Sequence, residues 1–208
     1  MSFLPKDFKE PVQSNYMDFE EGDNTFRALD SATVGWEYWV ERVIDGKTVN
    51  RPVRVKEHDS IPLNEVVEDR YGKLNYSFFW AFPVYSFDNR KIQILTIKQK
   101  TVRRPMLKSI NNPKWGDPKD YNFVVSRDKD ENGKTVYTVT TEPKEKLDSN
   151  ILEKYKSMNI DMEVWMKGED PFKNVSQEEV GVDTGEVADE AFEALASEDE
   201  SDESMPNF

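Results

Sequence analysis

Seven cations, Lys91, Lys98, Lys100, Arg103, Arg104, Lys108 and Lys114, fall within 24 residues that contain no acid. Just before them runs YSFFWAFPVYS at 76–86, and further upstream WEYW at 36–39. Cations that track a phosphate backbone, beside aromatic rings on which bases stack, are what single-strand binding requires. Stacking contributes about 1–3 kcal/mol per base with little sequence preference. Each phosphate contact adds salt-dependent affinity through counterion release.

The stacking candidates are Trp36, Tyr38, Trp39, Trp80 and Phe82. The phosphate candidates are Arg54, Lys91, Lys98, Lys100, Arg103, Arg104 and Lys108. Trp115, in a Pro/Gly loop beside Lys114, and Arg127, at a strand end, extend the set. Alternation along strand 76–86 puts Tyr76, Phe78, Trp80, Phe82 and Val84 on one face and Ser77, Phe79, Ala81, Pro83 and Tyr85 on the other. A half-buried strand needs only one apolar face, so a second aromatic face is open to stacking, unless the strand is covered on both sides. Trp36, Tyr38 and Trp39 pose the same choice. Lys98 and Lys100 are expected on one strand face, with Arg103 and Arg104 opening a helix. Taken singly, each cation reads equally well as a solvated surface charge.

Other chemistries find little material. Cysteine is absent and His58 is the one histidine, so zinc fingers, thiolate nucleophiles and His-ligated metals are excluded. His58 lies in the charged stretch VKEHDS and reads as a loop residue. Glu20, Glu21 and Asp23 form the one acidic cluster outside the C-terminal stretch and read as loop charges. No GxxxxGK[ST], GxGxxG or GxSxG is present. The expectation is a protein without catalytic residues, metal or cofactor. No signal-peptide or membrane-length apolar run is visible, which points to a soluble, cytoplasmic protein.

The net charge of -13 conceals a strong asymmetry. Residues 169–208 hold 14 Asp and Glu against the single Lys173, and so account for all of it. Residues 1–168 are balanced, with 27 acids and 27 bases, and within them residues 70–127 carry 12 bases and 3 acids. A basic block inside a neutral body, followed by an acidic stretch, says more about partners than the total does. Aromatics at 12% require a core, whereas a mean hydropathy of -0.79 signals chain that does not pack.

The elements that must position these residues are mostly short strands. Residues 1–20, with scattered aromatics, read as an arm packing on the body. Strand signals occupy 25–29, 33–40, 52–56, 76–86, 90–99, 121–127 and 136–141, with turns at Asp45-Gly46-Lys47 and Asp130–Lys134. Residues 57–74 read as loop. A helix is expected over 101–111, with Pro105 in its first turn, and another over 149–158. Five or more short strands with a helix entering late predict a mainly β fold, an OB-type small antiparallel barrel with one or two short helices. The barrel core is expected over 22–147 within a domain of residues 1–168. Residues 169–208 read as a disordered acidic tail, ending in the apolar Met205, Pro206, Asn207 and Phe208 as a partner-binding tip.

Four stretches, FRALDSATVGWEYW at 26–39, FFWAFPVY at 78–85, KIQILTIKQKTV at 91–102 and NPKWGDPKDYNFVVSR at 112–127, resemble the barrel segments of phage single-stranded DNA-binding proteins of the non-zinc type. The ending DESMPNF is similar to the acidic, Phe-terminated tails of such proteins. The resemblance implies an OB-fold that coats exposed single strands in replication, recombination and repair, and a tail that recruits replication or recombination proteins. It points to Trp36, Tyr38, Trp80, Lys98, Lys100 and Arg104 as contacts, and a monomer or dimer is expected. The rival readings are an acidic adaptor or DNA mimic, and a metal-dependent nuclease using the carboxylates near residue 20. RNA in place of DNA is a narrower alternative.

Overall fold

The structure, a computed structural model, describes residues 14–172. They form a mainly β body with eight strands: β1 (Tyr16–Met17), β2 (Gly22–Ala28), β3 (Thr33–Ile44), β4 (Lys47–Lys56), β5 (Tyr76–Ser86), β6 (Lys91–Ile97), β7 (Phe123–Lys129) and β8 (Thr135–Thr141). Three α-helices accompany them: α1 (Lys100–Ile110), α2 (Ser149–Met158) and α3 (Met162–Met166). Most of the arm, and the acidic stretch with Met205, Pro206, Asn207 and Phe208, lie outside the described residues.

Strand β5 organises the sheet. One of its edges pairs antiparallel with β6 over Trp80–Ser86. The other pairs first with β3, over Tyr76–Ala81, and then with β2, over Val84–Ser86. The sheet therefore forks at β5, one limb running through β2 to β7 and β8, the other through β3 to β4. Residues 14–20 complete the sheet's far side, because β1 pairs with β6 in parallel and sends Met17 and Phe19 into the core.

The antiparallel barrel expected from the strand pattern is corrected on two counts. The sheet is mixed, and among the described residues β1 and β8, the ends of its path, do not pair with each other. Side chains cover that side of the core instead of a closing ladder. Helix α1 packs against β8 and buries Val102 and Met106 among Phe82, Leu95 and Val125. Phe19 meets Tyr137 of β8 at 6.0 Å between ring centroids. Helix α1 opens at Lys100, and Pro105 sits in its interior rather than in its first turn, where it costs the bond to the Thr101 carbonyl.

The opposite face of β5 and β6 carries a second cluster. Phe79, Ala81 and Ile94 are covered by Trp165 and Met166 of α3 and by Phe172. Asp161 fixes α3 by accepting bonds from the backbone N–H groups of Glu163 and Val164. Sequence reasoning missed this helix, which is too short to show a period. The packing also runs past the expected boundary at residue 168, because Phe172 is 7% exposed and its ring meets Tyr16 edge-on. Phe172→Ala is expected to lower stability by about 3 kcal/mol through loss of this apolar cover, read as a reduced urea midpoint with an unchanged slope.

Candidate nucleic-acid interface

Register decides which aromatics share a surface. Val55, Trp36 and Phe78 form one row across β4, β3 and β5. Val34, Trp80 and Ile97 form the next row towards α1, and Val53, Tyr38 and Tyr76 the next row away from it. Directly paired residues point to one face. Beyond Trp80 that face enters the core, where Phe82 is 3% exposed. In the other direction Ile61 and Val66 of the 57–75 segment cover Tyr38 and Val40. Between these two covers, Trp36, Phe78 and Trp80 remain half-buried.

These rings form a connected patch. Trp36 meets Phe78 edge-on at 5.0 Å between centroids and Tyr76 at 5.9 Å. The Arg103 guanidinium of α1 lies 4.9 Å from the centre of the Phe78 ring. Its Nε and Nη2 donate to the Lys98 carbonyl at 3.2 and 3.1 Å, which fixes its orientation. Gly35 is required beside Trp36, because a Cβ there would fall 2.1 Å from the Val55 carbonyl oxygen of β4. The result is a rigid aromatic floor with a planar cation at its edge, a surface suited to stacked bases and a phosphate.

The opposite face of the same strands is built for another purpose. Glu37, with a side chain 4% exposed, receives the Lys98 ammonium at 2.6 Å and the Arg54 guanidinium at 2.9 Å. Arg54 also donates to the Trp165 carbonyl at 3.1 Å and lies 4.0 Å over the Trp165 ring. Burial pushes the Glu37 carboxyl up, but the two cations and their hydrogen bonds more than offset this and hold it below its ordinary range. Arg54 and Lys98 are thus committed to the buried Glu37. Trp39, adjacent to Tyr38 on β3, points to this opposite face.

The remaining candidates divide between surface and core. Lys100, Arg104 and Lys108 recur at i, i+4 and i+8 on the exposed side of α1, which contains no acid. Such like-charge pairs cost a helix about 0.2–0.5 kcal/mol each, a cost that buys nothing in packing. Lys98 and Lys100 do not share a strand face as expected, since Lys100 opens the helix. Lys91 is exposed at the other end of β6. Trp115 packs on Tyr121 at 5.5 Å, and Arg127 donates to the Phe19 carbonyl at 2.9 Å. Phe78 and Tyr76 were absent from the candidate contacts. Alternation placed them on the face of Trp80, and what was missing was where the core ends along that face.

Of the acids near residue 20, Asp23 has a side-chain partner in the local fold. Asp23 accepts from the Ser126 hydroxyl, Asn24 bonds the Glu20 backbone, and Asp88 accepts from the Thr25 N–H. Among the described residues, no three His, Cys, Asp or Glu side chains are grouped to hold a metal ion. His58 is exposed. Among the described residues, no helix is long and apolar enough to cross a membrane.

A scan against protein-family models and searches of curated proteins and of solved structures found no match to this chain. The class defined by fold and site is therefore a mainly β body that presents a half-buried aromatic row beside a cationic helix.

Glu37→Gln is expected to destabilise the protein by about 3 kcal/mol at neutral pH, since it leaves two cations facing a neutral group. A depressed carboxyl contributes stability above its unfolded pKa and loses it as pH falls through the folded value. Urea midpoints should therefore decline on acidification below the usual carboxylate pKa of about 4.3 less steeply in the variant than in the wild type.

Proposed function

We propose that this protein binds single-stranded DNA without marked sequence preference and acts as a coating protein rather than an enzyme. The observation that carries the reading is the patch of Trp36, Phe78 and Trp80, left half-buried between two covers and flanked by Arg103. Bases stack on the patch, and phosphates are met by Arg103 and by the stripe Lys100, Arg104 and Lys108 on α1. A rigid duplex offers no unstacked base to such a floor, so the equilibrium between paired and open strands shifts towards the open form by mass action.

The same reading relates β2, β5, β6, β7 and β8, with α1 between β6 and β7, to a five-stranded, partly open OB-type barrel, to which β3 and β4 add a ribbon. It also retains the phage-type role in replication, recombination and repair. The acidic stretch of 169–208 competes for the cationic stripe at high effective concentration and, when displaced, offers Met205–Phe208 to replication proteins.

Fluorescence titration with oligo-dT, oligo-rU and duplex DNA tests the reading. Trp36→Ala should weaken oligo-dT binding about tenfold, consistent with one lost stack. Arg104→Glu with Lys108→Glu should weaken it and flatten its dependence on salt. A chain ending at Val175, which keeps Phe172 in place, should bind more tightly than the full chain. Failure of the full chain and of the shortened chain to bind oligo-dT at low salt would overturn the proposal. Equal or tighter binding of oligo-rU would move it to RNA.

A further inference from the structure

The distal half of the β3–β4 hairpin projects as a two-stranded ribbon. Residues 41–48, 50 and 51 are exposed, and Val43 is 73% exposed. Its tip is a tight two-residue turn in which Asp45 and Gly46 both take positive φ, 51° and 76°, the geometry that suits the twist of a hairpin. Among the described residues β4 pairs only with β3, and Pro52 fits its outer edge. It stands opposite Trp39, where β4 sends no hydrogen bond to β3, so a missing N–H costs the ladder nothing.

Register separates the ribbon's two faces by charge. Ile44 pairs with Lys47, Arg42 with Val49, and Val40 with Arg51. Arg42, Lys47 and Arg51 therefore share one face with Ile44 and Val49 and with no acid. The three cations make no ion pair or hydrogen bond among the described residues. Glu41, Val43, Thr48 and Asn50 lie on the other face. The cationic face is continuous in orientation with that of Trp36 and Phe78. Ile61 and Val66, seated on Tyr38 and Val40, stand between them. Arg42 lies six positions along β3 from Trp36, a span of about 20 Å.

Resting on the single-strand reading above, we propose that this ribbon face is a second, separate strand contact. Arg42, Lys47 and Arg51 meet phosphates there, while Ile44 and Val49 lie against sugars or base edges. A short strand fills the aromatic row alone. A longer one crosses the 57–66 cover and reaches the ribbon. The cationic, acid-free face suits a polyanion, since an apolar protein surface would leave the three cations unanswered.

The full chain and a variant carrying Arg42→Glu, Lys47→Glu and Arg51→Glu would be titrated with oligo-dT of about 8 and about 30 nucleotides at several salt concentrations. The variant should bind the long strand at least about tenfold more weakly, with a salt slope shallower by about two ions, and bind the short strand unchanged. The corresponding triple Ala variant should show the same pattern in smaller measure. Unchanged long-strand affinity and slope overturn the proposal while leaving the aromatic row intact. Equal weakening on both lengths overturns it as well, because the ribbon would not then be a separate contact. A changed sedimentation mass with unchanged binding assigns the ribbon to self-association, against the proposal. If the wild type binds neither strand, the underlying function reading has failed instead.

Discussion

A carboxylate with almost no contact with water, Glu37, ties the structure together. Its desolvation is unfavourable by several kcal/mol unless cations answer it from close range. Lys98 arrives from the end of β6 and Arg54 from β4, so one acid on β3 locks three strands in register. Each cation then carries the constraint further. The Lys98 carbonyl holds Arg103, which sets α1 over the aromatic row. Arg54 stacks on Trp165 and bonds its carbonyl, which ties α3 to the opposite face of the sheet. A single buried charge thus links the cover on one face to the half-buried aromatic patch on the other.

This arrangement explains why a basic block is only partly an exposed surface. The sequence shows the cations of residues 91–114 as one run, but the fold divides them. Lys98 neutralises an interior acid that lies 61 positions away. Lys100, Arg104 and Lys108 stay outside because α1 turns Val102 and Met106 inward. Arg103 occupies the boundary, bound to a carbonyl and set against a ring. Charge density alone cannot distinguish these cases, since the deciding partner is remote in sequence.

The local elements were largely legible. Strands β2 to β8, the Asp45-Gly46 turn and α2 follow from alternation, turn chemistry and helical spacing, all of which are short-range. Barrel closure was not legible, because it depends on whether β8 pairs with another strand or packs on α1, and both arrangements need the same apolar pattern. The site was legible by type but not by face. Tyr38 and Trp36 are equivalent by alternation, yet one is sealed by Val66 and the other is not. Trp39 differs from both by a single position, which in a strand is enough to send it to the opposite surface.

The central claim is that strands are met by the Trp36–Phe78–Trp80 face and not by the Glu37 face. The most direct measurement follows the five tryptophan indole N–H signals by NMR, assigned through single Trp→Phe substitutions, as oligo-dT is added. The account predicts large shifts for Trp36 and Trp80, and little change for Trp39 and Trp165. Shifts centred on Trp39 and Trp165, or none at any indole at saturation, would contradict it.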